Sequence, residues 1–200
     1  MFDGRPPFIS TRRLVTGRSL CCLKMKFHET SLPGVFEIQV EPMADARGFF
    51  ARTWCAKEFE ERGLNSKIAQ CSTSFNTRKG TLRGIHFQAL PHLETKIVRC
   101  TQGAIFDVVV DLRPQSPSFK SWIGIVLSAA HRNSLYIPEG CGHGFLTLED
   151  DTEIFYQISE FYHAELSRGV RWNDPAFQIV WPGEVKVISE RDSGLPDFES

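Results

Sequence analysis

The sequence predicts an all-β fold, and three observations support that prediction. From residue 68 onward, short apolar segments follow one another at fairly even spacing, most of them bounded by Gly, Pro, Asn or Ser. The alternation of strands and helices that is typical of α/β folds is not visible. Residues 56–62 form the only convincing helix of the main body, and Gly63 follows as the residue that stops it. We therefore expect a sandwich or barrel, with a double-sheet jelly roll as the first choice.

The strands are predicted in chain order from their alternation and from the turn residues between them. Residues 35–40 form the first strand, residues 45–48 the turn after it, and residues 49–54 the second strand. After the helix, eight further strands are expected at residues 68–76, 81–88, 96–101, 104–112, 121–127, 134–137, 144–148 and 153–159. The segment from Trp181 to the last residue is polar and rich in turn residues.

The strand at residues 104–112 carries acidic residues on one of its two faces. Successive side chains of a strand point to opposite sides, so Asp107 and Asp111 share a face with Ile105 and Val109. The two carboxylates either face solvent or line a polar interior. The sequence alone does not distinguish these alternatives.

Length, charge and cysteine content exclude several classes of protein. Two hundred residues with 42% hydrophobic content suffice for one domain with a substantial core, which we assign to residues 25–200. The net charge of −1 argues against nucleic-acid or membrane partners, and the longest apolar runs are too short to span a bilayer. The six cysteines show no paired metal-ligand spacing, and no convincing secretory signal precedes them. We interpret them as buried or incidental thiols of a cytoplasmic protein.

Residues 1–24 differ in composition from the rest of the chain. They contain four arginines, two prolines and no periodic apolar face, and Met25-Lys26-Phe27 then reads like a natural protein start. The segment is similar to a weak organelle-targeting peptide. A disordered N-terminal extension, or an upstream start codon chosen in error, is the preferred interpretation.

The pattern of histidines predicts that the jelly roll holds no metal. Jelly rolls of the cupin type often bind one through a His-x-His, Glu, His set, and the segment that ends at His143 fits the second half of that pattern. The first half is broken, because His86 has no histidine two residues later and Lys96 stands where the glutamate would fall. An ammonium group opposes a divalent cation rather than binding it, so we expect neither a metal nor another cofactor.

Five polar residues remain for a pocket, namely Arg83, His86, Lys96, His143 and Tyr156. Removing a proton from carbon beside a ketone needs a base with a pKa near neutrality and a positive or hydrogen-bonding group at the enolate oxygen. Histidine suits the first task and lysine the second, while a tyrosine hydroxyl can return a proton from the opposite face. Taken singly, each of these residues is as readily explained by core packing or by a surface ion pair.

The order of several motifs resembles that of the dTDP-4-dehydrorhamnose 3,5-epimerases, cupin-like enzymes of deoxysugar biosynthesis. The resemblance runs from about Leu32 to Asp192. The motifs that carry it are Asp45-Ala46-Arg47-Gly48-Phe49-Phe50, Lys79-Gly80-Thr81-Leu82-Arg83-Gly84-Ile85-His86-Phe87-Gln88, Lys96-Ile97-Val98-Arg99-Cys100, Gly103 to Arg113, Ile137-Pro138-Glu139-Gly140, His143-Gly144-Phe145, Trp172-Asn173-Asp174-Pro175 and Trp181-Pro182.

The resemblance implies a role for each site residue. His86 would be the base, oriented by Asp192, Tyr156 the acid on the other face, and Lys96 the group that stabilises the enolate oxygen. The substrate contacts would be Arg47, Arg83, His143, Gln70 and Ser72, with Asp107 close to Lys96. Ser167 and Arg191 replace a glutamate and a lysine that are frequent in the family.

The function implied is epimerisation of dTDP-4-dehydro-6-deoxy-D-glucose at C3 and C5, without a cofactor, by a homodimer. Two alternatives stay open at this point. One is a single-centre epimerase or ketoisomerase acting on a related nucleotide-linked ketosugar. The other is a non-catalytic cupin that binds a sugar nucleotide or a metal.

Overall fold

Two six-stranded sheets face each other in residues 23–199, the part of the chain that the computed structural model describes. In spatial order, the first sheet contains β1 (Met25–Glu29), β2 (Phe36–Val40), β10 (Ser134–Ile137), β7 (Lys96–Gln102), β12 (Thr152–Ile158) and β5 (Gln70–Asn76). The second contains β13 (Ser167–Gly169), β6 (Thr81–Gln88), β11 (Cys141–Thr147), β8 (Ala104–Asp111) and β9 (Trp122–Ser128), while β14 (Val187–Ile188) also pairs with β6. The predicted all-β fold is confirmed.

Short elements connect and cover the sheets. They are the hairpin of β3 (Met43–Asp45) and β4 (Gly48–Phe50), the helices α1 (Ala56–Glu60) and α2 (Glu190–Ser193), and a 3₁₀ turn at Ala164–Leu166. The strand predicted at residues 49–54 ends at Phe50, and the helix predicted at residues 56–62 ends at Glu60. None of the described helices combines the length and the apolarity that a membrane crossing requires.

The main core lies between the two sheets. Val98, Leu135 and Ile154 of the first sheet meet Val109 and Phe145 of the second, and all are at most 1% exposed. Burying an aliphatic or aromatic side chain of this size contributes about 1.5–3 kcal/mol. Phe145 of this core also lines a cavity between the sheets.

Each sheet is also covered on its outer face. Phe59 of α1 is fully buried against Ile38 and Tyr136 on the first sheet. On the second sheet, Val170 and Phe177 from the segment after β13 join the side chain of Ile85 in a third apolar cluster. This covering segment continues to β14 and α2 and so brings the last helix against β6.

β6 and β11 approach each other unusually closely at Gly84. This glycine has φ +117°, and a Cβ atom there would lie 2.5 Å from Gly144 Cα and 2.7 Å from the His143 carbonyl oxygen. The register between the two strands shifts at this point, between His143 and Phe145. Such irregularities change the direction of neighbouring side chains. His86, two residues later, pairs directly with His143 in the register.

Burial distinguishes the two alternatives for the acidic face of β8, namely exposure to solvent or a polar interior. Asp107 and Asp111 are both 0% exposed, so this face points into the protein rather than to solvent. Asp111 accepts hydrogen bonds from Arg113, Ser116 and Ser118, which hold the loop after the strand. Asp107 belongs to the polar interior described below.

Four cysteines lie among the described residues, and none of these four is paired with another. Burial raises the pKa of the Cys100 thiol to about 11 and that of Cys141 to about 12, so both thiols stay protonated at neutral pH. Cys21 and Cys22 fall outside the described residues, as do residues 1–22 of the predicted extension. Leu23, which the prediction placed in that extension, is buried and accepts a hydrogen bond from Arg52. The cytoplasmic location stays a prediction.

Candidate active site

A cavity of about 310 Å³ opens between the two sheets and collects most of the predicted site residues. β6 and β11 of the second sheet form one wall, and β5, β7 and β12 of the first sheet form the other. The predicted residues that line it are Ser72, Arg83, His86, Lys96, His143 and Tyr156. Imidazole, ammonium and phenol groups therefore share one compartment.

A carboxylate from the last helix holds His86. The Nε2 atom of His86 lies 2.8 Å from Oδ1 of Asp192, and the other carboxylate oxygen accepts the Gly84 N–H at 3.1 Å. Burial acts to raise the pKa of Asp192, but the interactions with His86, the Gly84 N–H and Arg191 together lower it. An ionised carboxylate only accepts hydrogen bonds, so in the neutral imidazole Nε2 carries the proton and Nδ1 has the lone pair.

The backbone of α2 explains how Asp192 reaches β6. Ser189 caps the helix, and its side-chain oxygen accepts the N–H of Asp192 at 3.0 Å. A serine at this position satisfies one of the free N–H groups of the first turn. The carboxylate is only 6% exposed, whereas the side chain of His86 is 33% exposed. The imidazole is thus held by the carboxylate on its Nε2 side and is open to the cavity elsewhere.

A second histidine–carboxylate pair lies beside the first. The Nε2 atom of His143 is 2.7 Å from Oδ1 of Asp107, and the two side chains are 6% and 0% exposed. Burial raises the pKa of Asp107, while His143 and Lys96 act in the opposite direction. His143 is more enclosed than His86.

Tyr156 faces the histidines from the opposite sheet. Its ring meets that of His143 edge-on, with 6.2 Å between the centroids. Burial raises the pKa of Tyr156, the charge of Asp107 adds to the effect, and Arg83 opposes it. The phenol is consequently protonated throughout the neutral range and is available as a proton donor.

Lys96 is paired inside the cavity with an acidic residue. Its Nζ atom lies 2.8 Å from Oε1 of Glu94, and both side chains are 12% exposed. A lysine ammonium has three N–H donors, so two remain for other acceptors while this ion pair persists. The Lys96 side chain therefore keeps donors that can reach a ligand in the cavity.

Arg83 and the polar face of β5 form the other polar wall. The Nε atom of Arg83 donates to Oδ1 of the buried Asn76 at 2.8 Å, which leaves the terminal nitrogens for a ligand. Ser72 lines the cavity, whereas Gln70 lies beside it and accepts the N–H of Tyr162 at 2.6 Å. An arginine held in this way suits bidentate binding of phosphate oxygens.

Arg47 is the one predicted site residue that lies away from the cavity. It occupies the turn of the β3–β4 hairpin, its side chain is 90% exposed, and it pairs with Asp45 of the same hairpin at 2.6 Å. Phe49 and Phe50 beside it are 48% and 60% exposed. None of these three is among the described residues that line the cavity.

Several lining residues were not predicted as site residues, among them Glu94 and Ser74. Ser74 could have been found from strand alternation, because it lies two residues from Ser72 on β5. Glu94 lies in the loop before β7, where no strand pattern applies. Tyr162, Ser167 and Arg191 also line the cavity, and Nη2 of Arg191 donates to Oγ of Ser167 at 2.9 Å. Two residues that depart from the family pattern thus contact each other.

Comparison with known proteins identifies one family. The family model described as dTDP-4-dehydrorhamnose 3,5-epimerase matches residues 29–200. The dTDP-4-dehydrorhamnose 3,5-epimerase of Shigella flexneri is 40% identical over 169 residues, which cover 84% of this chain and 93% of that protein.

Solved structures agree with this assignment. The dTDP-4-dehydrorhamnose 3,5-epimerase of Bacillus anthracis, with TDP and PPi bound, is 39% identical with a TM-score of 0.84. The match covers 88% of this chain and 100% of that one. ChmJ, a 3'-monoepimerase from Streptomyces bikiniensis in complex with dTDP-quinovose, is 31% identical with a TM-score of 0.79 and covers 85% of this chain and 86% of that one.

Proposed function

This chain belongs to the dTDP-4-dehydrorhamnose 3,5-epimerase family, and we propose that its cavity inverts C3 and C5 by proton transfer between His86 and Tyr156. The substrate is dTDP-4-dehydro-6-deoxy-D-glucose and the product is dTDP-4-dehydro-L-rhamnose. One observation supports the mechanism above the others. A histidine with a buried carboxylate behind it and a protonated tyrosine face one cavity from opposite sheets.

The first half of each inversion is an enolisation. Nδ1 of His86 takes the proton from the carbon beside the C4 ketone, and the electrons of that C–H bond move to the ketone oxygen. Asp192 stabilises the resulting imidazolium by its charge. Lys96 donates a hydrogen bond to the enolate oxygen through an N–H that Glu94 does not occupy.

The second half returns a proton from the other face of the sugar ring. The enolate collapses to the ketone, and the carbon takes the hydroxyl proton of Tyr156. Each inversion leaves His86 with one proton more and Tyr156 with one fewer, so exchange with water must restore both before the next inversion. Repetition at the second carbon beside the ketone completes the reaction.

The nucleotide end of the substrate is placed by charge. Arg83, Lys96 and Arg191 are the cationic residues that line the cavity, and a nucleoside diphosphate carries the complementary charge. Arg83 is oriented by Asn76, and Arg191 by Ser167. We propose that these two guanidinium groups bind the diphosphate and that Ser72 and Tyr162 contact the nucleoside.

The test is a single assay with the purified protein in deuterated water. With dTDP-4-dehydro-6-deoxy-D-glucose as substrate, we expect proton NMR to show deuterium at both C3 and C5 and the appearance of the L-rhamno product. Absence of exchange at either carbon would contradict the proposed reaction. The same spectra separate incorporation of deuterium from net inversion.

A single-centre epimerase is the second candidate, and the similarity to a 3'-monoepimerase favours keeping it. It predicts deuterium in the product at one carbon only. A ketoisomerase predicts that the carbonyl carbon itself changes position. Both outcomes are read from the carbon resonances of the same reaction.

We also propose that the active unit is a homodimer in which the hairpin supplies Arg47 to the cavity of the partner chain. Arg47, Phe49 and Phe50 form an exposed tip that combines apolar rings with a cation. Exposed large apolar groups of this kind are typical of interaction sites. In a twofold dimer each chain contributes its hairpin to the other chain, so each cavity gains one arginine.

Mixing two impaired variants, assayed at a substrate concentration well below the KM of Arg47→Ala, tests this proposal. We expect Arg47→Ala to raise the KM for the nucleotide sugar and His86→Ala to lower turnover by about 100- to 10,000-fold. After co-expression in equal amounts, half of the dimers are mixed and each holds one complete site, so about a quarter of wild-type activity returns. A monomer by sedimentation, or no recovery of activity in mixed dimers, would contradict the exchange of hairpins.

A further inference from the structure

We propose that His92, Glu160 and His163 form a binding site for a divalent transition metal ion at the rim of the cavity. One ligand atom from each residue lies within 4.8 Å of the other two, and all three side chains are partly buried. His92 lies in the loop between β6 and β7, and the other two lie in the loop after β12. The site is separate from the catalytic histidines and from the cupin-type position considered above.

The ligand types select the ion. Two imidazoles and one carboxylate suit Zn²⁺, Co²⁺, Ni²⁺ or Cu²⁺, whereas Mg²⁺ and Ca²⁺ prefer sets of oxygen ligands. Three protein ligands also leave one tetrahedral position for water. The two imidazole rings are stacked, with centroids 3.9 Å apart and 14° between their planes. The lone pairs of an imidazole lie in the ring plane, so binding of one ion by both rings requires rotation of one of them about its Cβ–Cγ bond.

A neighbouring carboxylate orients one of the histidines. Nδ1 of His163 lies 3.3 Å from Oε1 of Glu165, so this nitrogen carries the proton and Nε2 is left to bind the metal. A carboxylate behind a metal-binding histidine is a recurrent arrangement that fixes the tautomer and raises the basicity of the ligand.

The two loops are already held at a fixed separation. Gln88 is 3% exposed and donates from its amide nitrogen to the carbonyl oxygens of His92 and Phe161, at 2.6 and 3.1 Å. Its amide oxygen accepts the N–H of His163 at 2.9 Å. One buried side chain thus fixes the backbone beside both imidazoles, which lowers the entropic cost of bringing the ligands together.

A lysine competes with the metal for the carboxylate. Nζ of Lys67 lies 3.5 Å from Oε2 of Glu160 and its side chain is 58% exposed. Such exposed ion pairs are weak, so a metal ion can displace the ammonium group. This competition leads to a specific expectation. Removal of the Lys67 ammonium group should tighten binding of the metal ion at this site.

The experiment is a titration of the full-length protein with Co²⁺, followed by its visible absorption, and a repeat with Zn²⁺ in competition. We expect one ion per chain, no competition by Mg²⁺ at equal concentration, and no binding at this site in His92→Ala or His163→Ala. Glu165→Gln should weaken binding about 10-fold. Lys67→Ala should tighten it about 2- to 5-fold.

Two controls locate the site. His131→Ala removes an exposed histidine elsewhere and should leave binding unchanged, and His86→Ala should also retain it. At a Zn²⁺ concentration about 100-fold above Kd, the wild type should gain roughly 5–10 °C in Tm and His163→Ala should gain none. Lack of binding by the wild type, or binding that survives both His92→Ala and His163→Ala, would overturn the proposal.

Discussion

Replacement of His86 by alanine is expected to lower net epimerisation by about 100- to 10,000-fold and to remove deuterium exchange at C3 and C5. His86 is the proposed base, and exchange begins when this base takes a proton from carbon. The measurement is the NMR assay in deuterated water. The side chain is 33% exposed, so its truncation leaves no large internal cavity, and an unchanged Tm confirms that the variant is folded.

A double-mutant cycle with Asp192 strengthens this test. Asp192→Asn should reduce exchange less than His86→Ala does, because the base is still present but its tautomer and its imidazolium are no longer supported. If Asp192 acts through His86, then His86→Ala with Asp192→Asn is no slower than His86→Ala alone. Full exchange in His86→Ala, or additive losses in the double variant, would remove this pair from the mechanism.

Tyr156→Phe is expected to separate exchange from inversion. The variant keeps the base and the enolate-stabilising lysine, so deuterium still enters the substrate from the side of His86. It lacks the proton donor on the opposite face, so net inversion falls by about 100- to 10,000-fold. The ratio of deuterium incorporation to product formation is the quantity to measure, and a parallel loss of both would contradict the role of Tyr156 as acid.

Tyr136→Phe provides a matched control for the loss of a hydroxyl group. Tyr136 is 3% exposed on the outer face of the first sheet, and its hydroxyl oxygen accepts the N–H of Asn65 at 3.0 Å. Loss of that hydrogen bond costs about 1 kcal/mol of stability. The ratio of exchange to inversion should stay at its wild-type value, because this hydroxyl lies outside the cavity.

Much of the scaffold could be predicted from local patterns. The strand predicted at residues 81–88 is observed as Thr81–Gln88, and that at residues 134–137 as Ser134–Ile137, because turn residues and a change of hydrophobicity bound both. β1, β3, β13 and β14 were not predicted. The last two have three and two residues and exist through pairing with β6, which no local pattern encodes.

Some features of the site also follow from local sequence patterns, whereas others depend on tertiary structure. Strand alternation placed Asp107 on a face with Asp111 but did not show that this face is internal, since that depends on which sheet covers it. The pairing of His86 with Asp192 joins residues 106 positions apart, and the sequence indicated it only through family resemblance. The ion pair of Lys96 with Glu94 was not predicted, because Glu94 lies in the loop before β7, where strand alternation gives no side-chain direction.

The carboxylate behind His86 comes from neither sheet. Asp107 is delivered to His143 by the neighbouring strand, so that pair exists as soon as the second sheet forms. Asp192 instead arrives on a four-residue helix that follows every strand of the fold. The segment after β14 therefore has two roles, because Asp192 holds His86 and Phe198 packs against the apolar cluster on the second sheet. Loss of this segment would take the carboxylate from the proposed base and uncover part of that cluster at the same time.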